Sequence, residues 1–102
     1  YQALWNLEID GFRRVADVSN KVRVSVEYKP SEPRRRSVIS NMGEALLAVS
    51  DVNRDNFGVT LDYCHLLMSQ ENPAFAASLA LSRNKLFGVH INDLFRHLSR
   101  AR

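Results

Sequence analysis

Three short stretches place potential metal ligands where a run of apolar residues stops: Val26-Glu27-Tyr28-Lys29, Thr60-Leu61-Asp62-Tyr63-Cys64-His65 and Gly88-Val89-His90-Ile91-Asn92-Asp93. Val22, Val24 and Val26 lead into Glu27, Val59 and Leu61 lead into Asp62, and Leu86, Phe87 and Val89 lead into His90. Oxygen ligands joined by a histidine suit Mn²⁺, Co²⁺, Mg²⁺ or Zn²⁺. Parallel strands joined by helices have their C-terminal ends on one face, so Glu27, Asp62 and His90 can converge on a single ion. The spacings, 35 positions from Glu27 to Asp62 and 28 from Asp62 to His90, each accommodate one strand, helix, strand unit.

The elements that would position these groups follow from periodicity. Leu4, Leu7, Phe12 and Val15 recur at roughly helical spacing and predict a first helix to about Val18, ended by Ser19-Asn20. The alternation of Val22, Val24 and Val26 predicts a strand, and Pro30 and Pro33 break the chain after it. Val38, Met42, Ala45, Leu46 and Val49 predict a second helix with one packed face, and residues 51 to 56 a return loop. Phe57 to Leu61 reads as the second strand. Pro73 is placed to open a helix running through Ala74, Ala77, Leu79 and Ala80, and Leu86 to Ile91 reads as the third strand. This alternation, with no internal repeat, makes a parallel α/β sheet the expected class.

Taken together, Glu27-x-Lys29, Asp62-x-x-His65 and His90-x-Asn92-Asp93 resemble the sugar isomerases and epimerases built on a xylose-isomerase-like barrel, and look closest to the L-rhamnose isomerase type. Any one of the three is weak alone; the ordered set, with the flanking Glu27-Tyr-Lys-Pro30, Gly58-Val-Thr-Leu-Asp62 and Lys85-Leu-Phe-Gly-Val-His90, is specific. The likeness runs from about Trp5 to Asp93.

What the resemblance implies is an expectation for each residue. Glu27, Asp62 and His90 would each supply a ligand to one divalent cation, Mn²⁺ foremost, with a fourth carboxylate from a further strand. Lys29 and His65 would act on substrate: Lys29 from the same side of an extended strand as Glu27, His65 one turn past Asp62 at the sugar or at a second, catalytic metal. Asn92 and Asp93 are weaker candidates. The carboxylates that usually follow this last segment in the family are replaced here by Leu94 to Arg102, which contains no acidic residue. The expected substrate is a monosaccharide, and the expected reaction moves hydrogen between adjacent carbons to interconvert aldose and ketose or to epimerise.

Length limits what one such chain holds. A (β/α)8 barrel takes about 250 residues, and this chain has 102. The expectation is a TIM-barrel fragment, residues 1–102, about three parallel strands with alternating helices, assigned by resemblance to the fifth, sixth and seventh strands and the helix before them. Tyr1 in place of Met agrees with a missing upstream portion. The piece alone is expected to be inactive, and the oligomeric state of the full-length protein is left open, a homo-oligomer among the options.

Composition narrows the field further. Fourteen Lys and Arg against eleven Asp and Glu give a net charge of +3, a mild bias that does not argue for nucleic acid. One cysteine precludes an internal disulfide, and no apolar run approaches the ~18 residues of a spanning helix. A reducing cytoplasm is the default reading, with no membrane partner.

Plainer roles exist for each residue. Glu27 and Lys29 could be a surface pair on an edge strand, Asp62 could cap the helix after its strand, and a lone His90 is usually a hydrogen-bonded core residue. Arg34-Arg-Arg36 reads as a solvated loop, Cys64 as a small buried apolar residue, and His97 has no supporting motif. Two other functions stay open: a metal-dependent endonuclease for abasic DNA on a related barrel, expected to bring more histidines, and a non-catalytic barrel remnant.

Overall fold

The computed structural model describes residues 1–32, 35, 36 and 38–91, with only the backbone of 31, 32, 35 and 36. Asn92, Asp93, His97, Pro33, Arg34 and the basic tail lie outside the described residues. The element order is α1 (Gln2–Ala16), β1 (Val24–Glu27), β2 (Ser31–Glu32), β3 (Arg35–Arg36), α2 (Met42–Val52), β4 (Phe57–Asp62), α3 (Tyr63–Met68), α4 (Pro73–Ser82) and β5 (Leu86–His90). β1, β4 and β5 form a parallel sheet in the order β1-β4-β5, while β2 and β3 pair as a small antiparallel ribbon. Two successive βαβ units therefore run side by side, as the alternating sequence pattern predicts for part of a TIM barrel.

The pleat sorts side chains onto two faces. Phe57, Val59 and Leu61 of β4, with Val24 and Val26 of β1, face a core built from Trp5, Ile9 and Ala16 of α1, Met42, Ala45, Ala48, Val49 and Val52 of α2, and Ala76 and Ala80 of α4. Phe12 reaches β4 through a tilted ring contact with Phe57, centroids 5.1 Å apart. β4 is buried along its whole length, whereas β1 alternates between half-buried and exposed. The opposite face carries Ser25 and Glu27, Gly58, Thr60 and Asp62, and Gly88 and His90.

Helix ends follow local chemistry. Asn41 caps α2 by accepting from Glu44 N–H at 2.8 Å, and the Glu44 carboxylate reaches back past the cap to accept from Ser40 N–H at 2.9 Å and Ser40 Oγ at 2.5 Å. Asn53 ends the same helix in the left-handed region, which Asn tolerates better than most residues. Arg13 of α1 donates to the carbonyls of Asp51 (2.5 Å) and Val52 (3.4 Å), placing a cation where the dipole of α2 favours one. Trp5 adds an indole bond to Asp51 Oδ2 at 2.9 Å. α4 starts with Pro73 at its first turn and Asn72 as cap, accepting from Phe75 N–H at 3.0 Å.

The N-terminal edge of the sheet is closed by side chains that bond backbone. Asn56 Nδ2 donates to Ala16, Ser19 and Val22 carbonyls at 2.8 to 3.1 Å. Lys85 Nζ donates to Arg54, Asp55 and Phe57 carbonyls at 2.9 to 3.3 Å, using all three of its donors. Arg23 stacks over the Phe87 ring at 4.5 Å. The chemistry-bearing residues are left at the other end.

Several sequence expectations need correction. α1 buries Trp5, Ile9 and Ala16, not Leu4, Leu7 and Val15, which are exposed. Both sets have helical spacing, and the indole and guanidinium bonds to α2 decide which one turns inward. Val22 precedes the strand and is exposed, Val38 precedes α2, and Asp51 and Val52 belong to α2 and not to the return loop. The short α3 is an element that the periodicity does not predict.

Two glycines test this packing. A Cβ on Gly58 would stand 2.7 Å from the Lys85 carbonyl and 2.8 Å from the Phe87 ring, and that carbonyl is fixed by accepting from Val59 N–H at 2.8 Å. Gly58→Ala should therefore cost about 2 kcal/mol in urea unfolding. A Cβ on Gly11, within α1, meets nothing within 4 Å among the described residues, so Gly11→Ala should stabilise by about 0.5–1 kcal/mol. Equal effects at both sites would contradict the packing described.

Asp17 and Arg54 pair at 2.7 Å between the end of α1 and the loop before β4. The hydrogen bond from Arg54 holds the Asp17 carboxyl below its ordinary value. A depressed carboxyl contributes stability above its unfolded value and loses it as pH falls through the folded one. The gap in thermal midpoint between the parent and Asp17→Asn should thus close below about pH 4, and a gap that widened in acid would exclude this role.

Candidate metal centre

Glu27, Asp62 and His90 are the last residues of β1, β4 and β5. Register puts His90 directly beside Asp62 and Glu27 beside Thr60, one pleat step below. Each offers one ligand atom, and the three atoms lie within 4.8 Å of one another. His90 Nδ1 stands 3.3 Å from Glu27 Oε1. Three groups far apart in sequence thus converge at the C-terminal ends of parallel strands, forming a candidate divalent-metal triad.

Asp62 serves two purposes with its two oxygens. Oδ1 caps α3 by accepting from His65 N–H at 3.1 Å, the plainer role foreseen for it. Oδ2 points to the cluster, 3.9 Å from His65 Nδ1. Capping and ligation use different lone pairs and do not compete.

The same cap fixes His65. Held one turn into α3, its Nδ1 lies 4.0 Å from Glu27 Oε1 and 3.9 Å from Asp62 Oδ2, beyond hydrogen-bond reach of either. That nitrogen is buried and has no hydrogen-bond partner among the described residues, a state that costs about 1–3 kcal/mol if nothing compensates it. A dication held there would balance the two negative charges.

The donor set fits such an ion. Two carboxylates and an imidazole are hard and borderline donors that suit a divalent cation. Glu27, Asp62 and His90 would be the holders, with His65 Nδ1 at the margin. Lys29 follows β1 and is half-buried.

Beneath this layer lies a second one that periodicity alone could have exposed. Ser25 and Thr60, two residues before Glu27 and Asp62, share a 2.5 Å hydroxyl bond, and Gly88 stands beside Thr60. Counting two residues toward the start of each strand finds them. Cys64 is buried on α3 with Sγ 3.8 Å from Met68 Sδ, in agreement with a packing residue.

Comparisons with known proteins agree with this fold. The chain is 32% identical over 72 residues to the xylose isomerase of Thermus thermophilus, covering 70% of this chain and 19% of that protein. It therefore spans about a fifth of the length of that curated relative. Among solved structures, the probable 3-DHS dehydratase AsbF of Bacillus anthracis, involved in petrobactin synthesis, superposes with a TM-score of 0.66 at 15% identity, over 80% of this chain and 28% of that one. At that identity the likeness is one of fold. Residues 1–102 match throughout the family described as xylose isomerase-like TIM barrel, and the chain belongs to that family.

Proposed function

We propose that the protein carrying these 102 residues is a divalent-metal-dependent sugar isomerase or epimerase, acting on a free monosaccharide in the cytoplasm. The observation that carries this reading is the convergence of Glu27, Asp62 and His90 ligand atoms within 4.8 Å at three parallel strand ends. The family and the likeness to a xylose isomerase support the choice of a sugar substrate. The segment would be the fifth to seventh strands of the barrel with the preceding helix, and the L-rhamnose isomerase type is the nearest subclass by its Asp62-x-x-His65 and His90-x-Asn92-Asp93 pattern.

Glu27, Asp62 and His90 would hold a divalent cation, Mn²⁺ or otherwise Co²⁺, Mg²⁺ or Zn²⁺, which would supply Lewis-acid polarisation of the sugar carbonyl. The chain's own groups would do the rest. Glu27 and Asp62 supply negative charge that fixes the cation's place, and His90 completes the set from the neighbouring strand. His65, beside both carboxylates, would bind the sugar or a second metal. Lys29 can donate from its ammonium to the sugar oxygen on which negative charge develops.

The triad would also suit a metal-dependent endonuclease; the likeness to a xylose isomerase favours the sugar reading. A panel of aldoses and ketoses, including L-rhamnose and D-xylose, assayed with Mn²⁺ and Co²⁺ on the full-length protein should show interconversion that chelator abolishes. Cleavage of abasic DNA without turnover of any sugar would sink the proposal.

The dual use of Asp62 yields a sharper expectation. Asn caps a helix as well as Asp does, so Asp62→Asn should keep the fold while removing a charged ligand. Mn²⁺ affinity should fall at least ~10-fold with the far-ultraviolet circular dichroism unchanged. Isothermal titration reads the first and spectroscopy the second. The isolated 102-residue piece should bind Mn²⁺ more weakly than the full-length protein and show no isomerisation, because ligand sets bind tightly only when held in place.

A further inference from the structure

Tyr28 follows Glu27 directly, and the pleat sends the two side chains to opposite faces. Glu27 faces the candidate metal centre; the Tyr28 ring enters the core and is only 1% exposed. Its hydroxyl donates to Glu71 Oε2 at 2.8 Å. Glu71 Oε1 accepts from Met42 N–H at 2.9 Å, one of the donors that the start of α2 leaves without an intrahelical acceptor. The Glu71 backbone N–H returns to the Leu66 carbonyl at 3.2 Å, closing the end of α3. One carboxylate therefore ties together the end of β1, the start of α2 and the helix that carries His65.

α3 needs such support. It has six residues, far fewer than an isolated helix requires. Asp62 holds its first turn, while Glu71 and the Ser69 Oγ bond to the Ser40 carbonyl at 2.9 Å hold its last. Within this frame the His65 ring sits 4.0 Å from the Glu27 carboxylate, and neither side chain bonds the other. What fixes their separation lies on the far side of the strand.

We propose that the Tyr28–Glu71 hydrogen bond is a strut that sets the distance between Glu27 and His65, making Tyr28 and Glu71 positioning residues for the metal centre. The inference rests on the metal reading given above and adds to it residues that touch neither ion nor substrate. A Phe in place of Tyr28 would keep the ring and lose only the strut.

The test uses the full-length protein, Mn²⁺ titration and the visible spectrum of bound Co²⁺, which reports ligand geometry. Tyr28→Phe should weaken Mn²⁺ binding about 10-fold and alter the Co²⁺ spectrum. Glu71→Gln should act in the same direction and serves in its place if Tyr28→Phe does not fold; the double variant should lose less than the sum of the two. Trp5→Phe, which removes the bond to Asp51 between α1 and α2, is the control. It should lower the thermal midpoint comparably yet leave the Mn²⁺ affinity and Co²⁺ spectrum as in the parent. Unchanged affinity and spectrum in Tyr28→Phe would overturn the strut, as would equal losses in Trp5→Phe. A parent protein that binds neither ion overturns the metal reading itself, a result distinct from a parent that binds beside an unaffected variant.

Discussion

The pleat of β4 is the constraint on which the rest of the molecule depends. Phe57, Val59 and Leu61 are locked into the helical core, and this leaves Gly58, Thr60 and Asp62 no alternative to the other face. A slip of one residue would bury Asp62 among apolar side chains and turn Leu61 toward the strand ends. Burial of three large side chains, each contributing about 1.5–3 kcal/mol, opposes that slip far more strongly than any single polar contact could. β1 pairs with β4 in unbroken register, which passes the parity of β4 to Glu27, whereas a register shift opposite Val59 and Thr60 moves β5 on by one residue, so that Gly88 and His90 stand beside Thr60 and Asp62. The candidate centre is thus specified by hydrophobic burial on the face it does not use.

The two ends of the sheet differ in a way that suits barrel enzymes generally, where the C-terminal face carries chemistry and the N-terminal face carries stability. At the N-terminal edge Asn56 and Lys85 satisfy six backbone carbonyls between them. At the C-terminal edge the polar groups bond one another loosely, and His65 Nδ1 is left without a partner among the described residues. An unpaired buried nitrogen is tolerated because the structure around it is over-determined: Asp62 fixes the start of α3 and Glu71 its end. Rigidity on one side is what allows unsatisfied capacity on the other.

The exposed apolar residues on α1 have a related origin. Leu4, Leu7 and Val15 are turned away from α2 because Trp5 and Arg13 must face it to reach Asp51 and Val52. Directional bonds chose the face where hydrophobicity alone was ambiguous. Among the described residues no helix is long and apolar enough to cross a membrane.

The alternation of elements, the parallel class, the family and the identity of the three triad residues were all legible in the chain before any coordinate. Each rests on information local to a few residues: valine alternation before Glu27, Pro73 at a helix start, a carboxylate or imidazole where an apolar run ends. Such information cannot decide which of two apolar stripes on α1 turns inward, nor that Asp62 splits its oxygens between a helix cap and the cluster, nor that Glu71 bridges Tyr28 and Met42 across 43 and 29 positions. Those outcomes depend on distances between elements, which periodicity does not contain. Only packing β1 against β4, and α3 against both, brings the His65 ring to within 4.0 Å of two carboxylates and bonds it to neither.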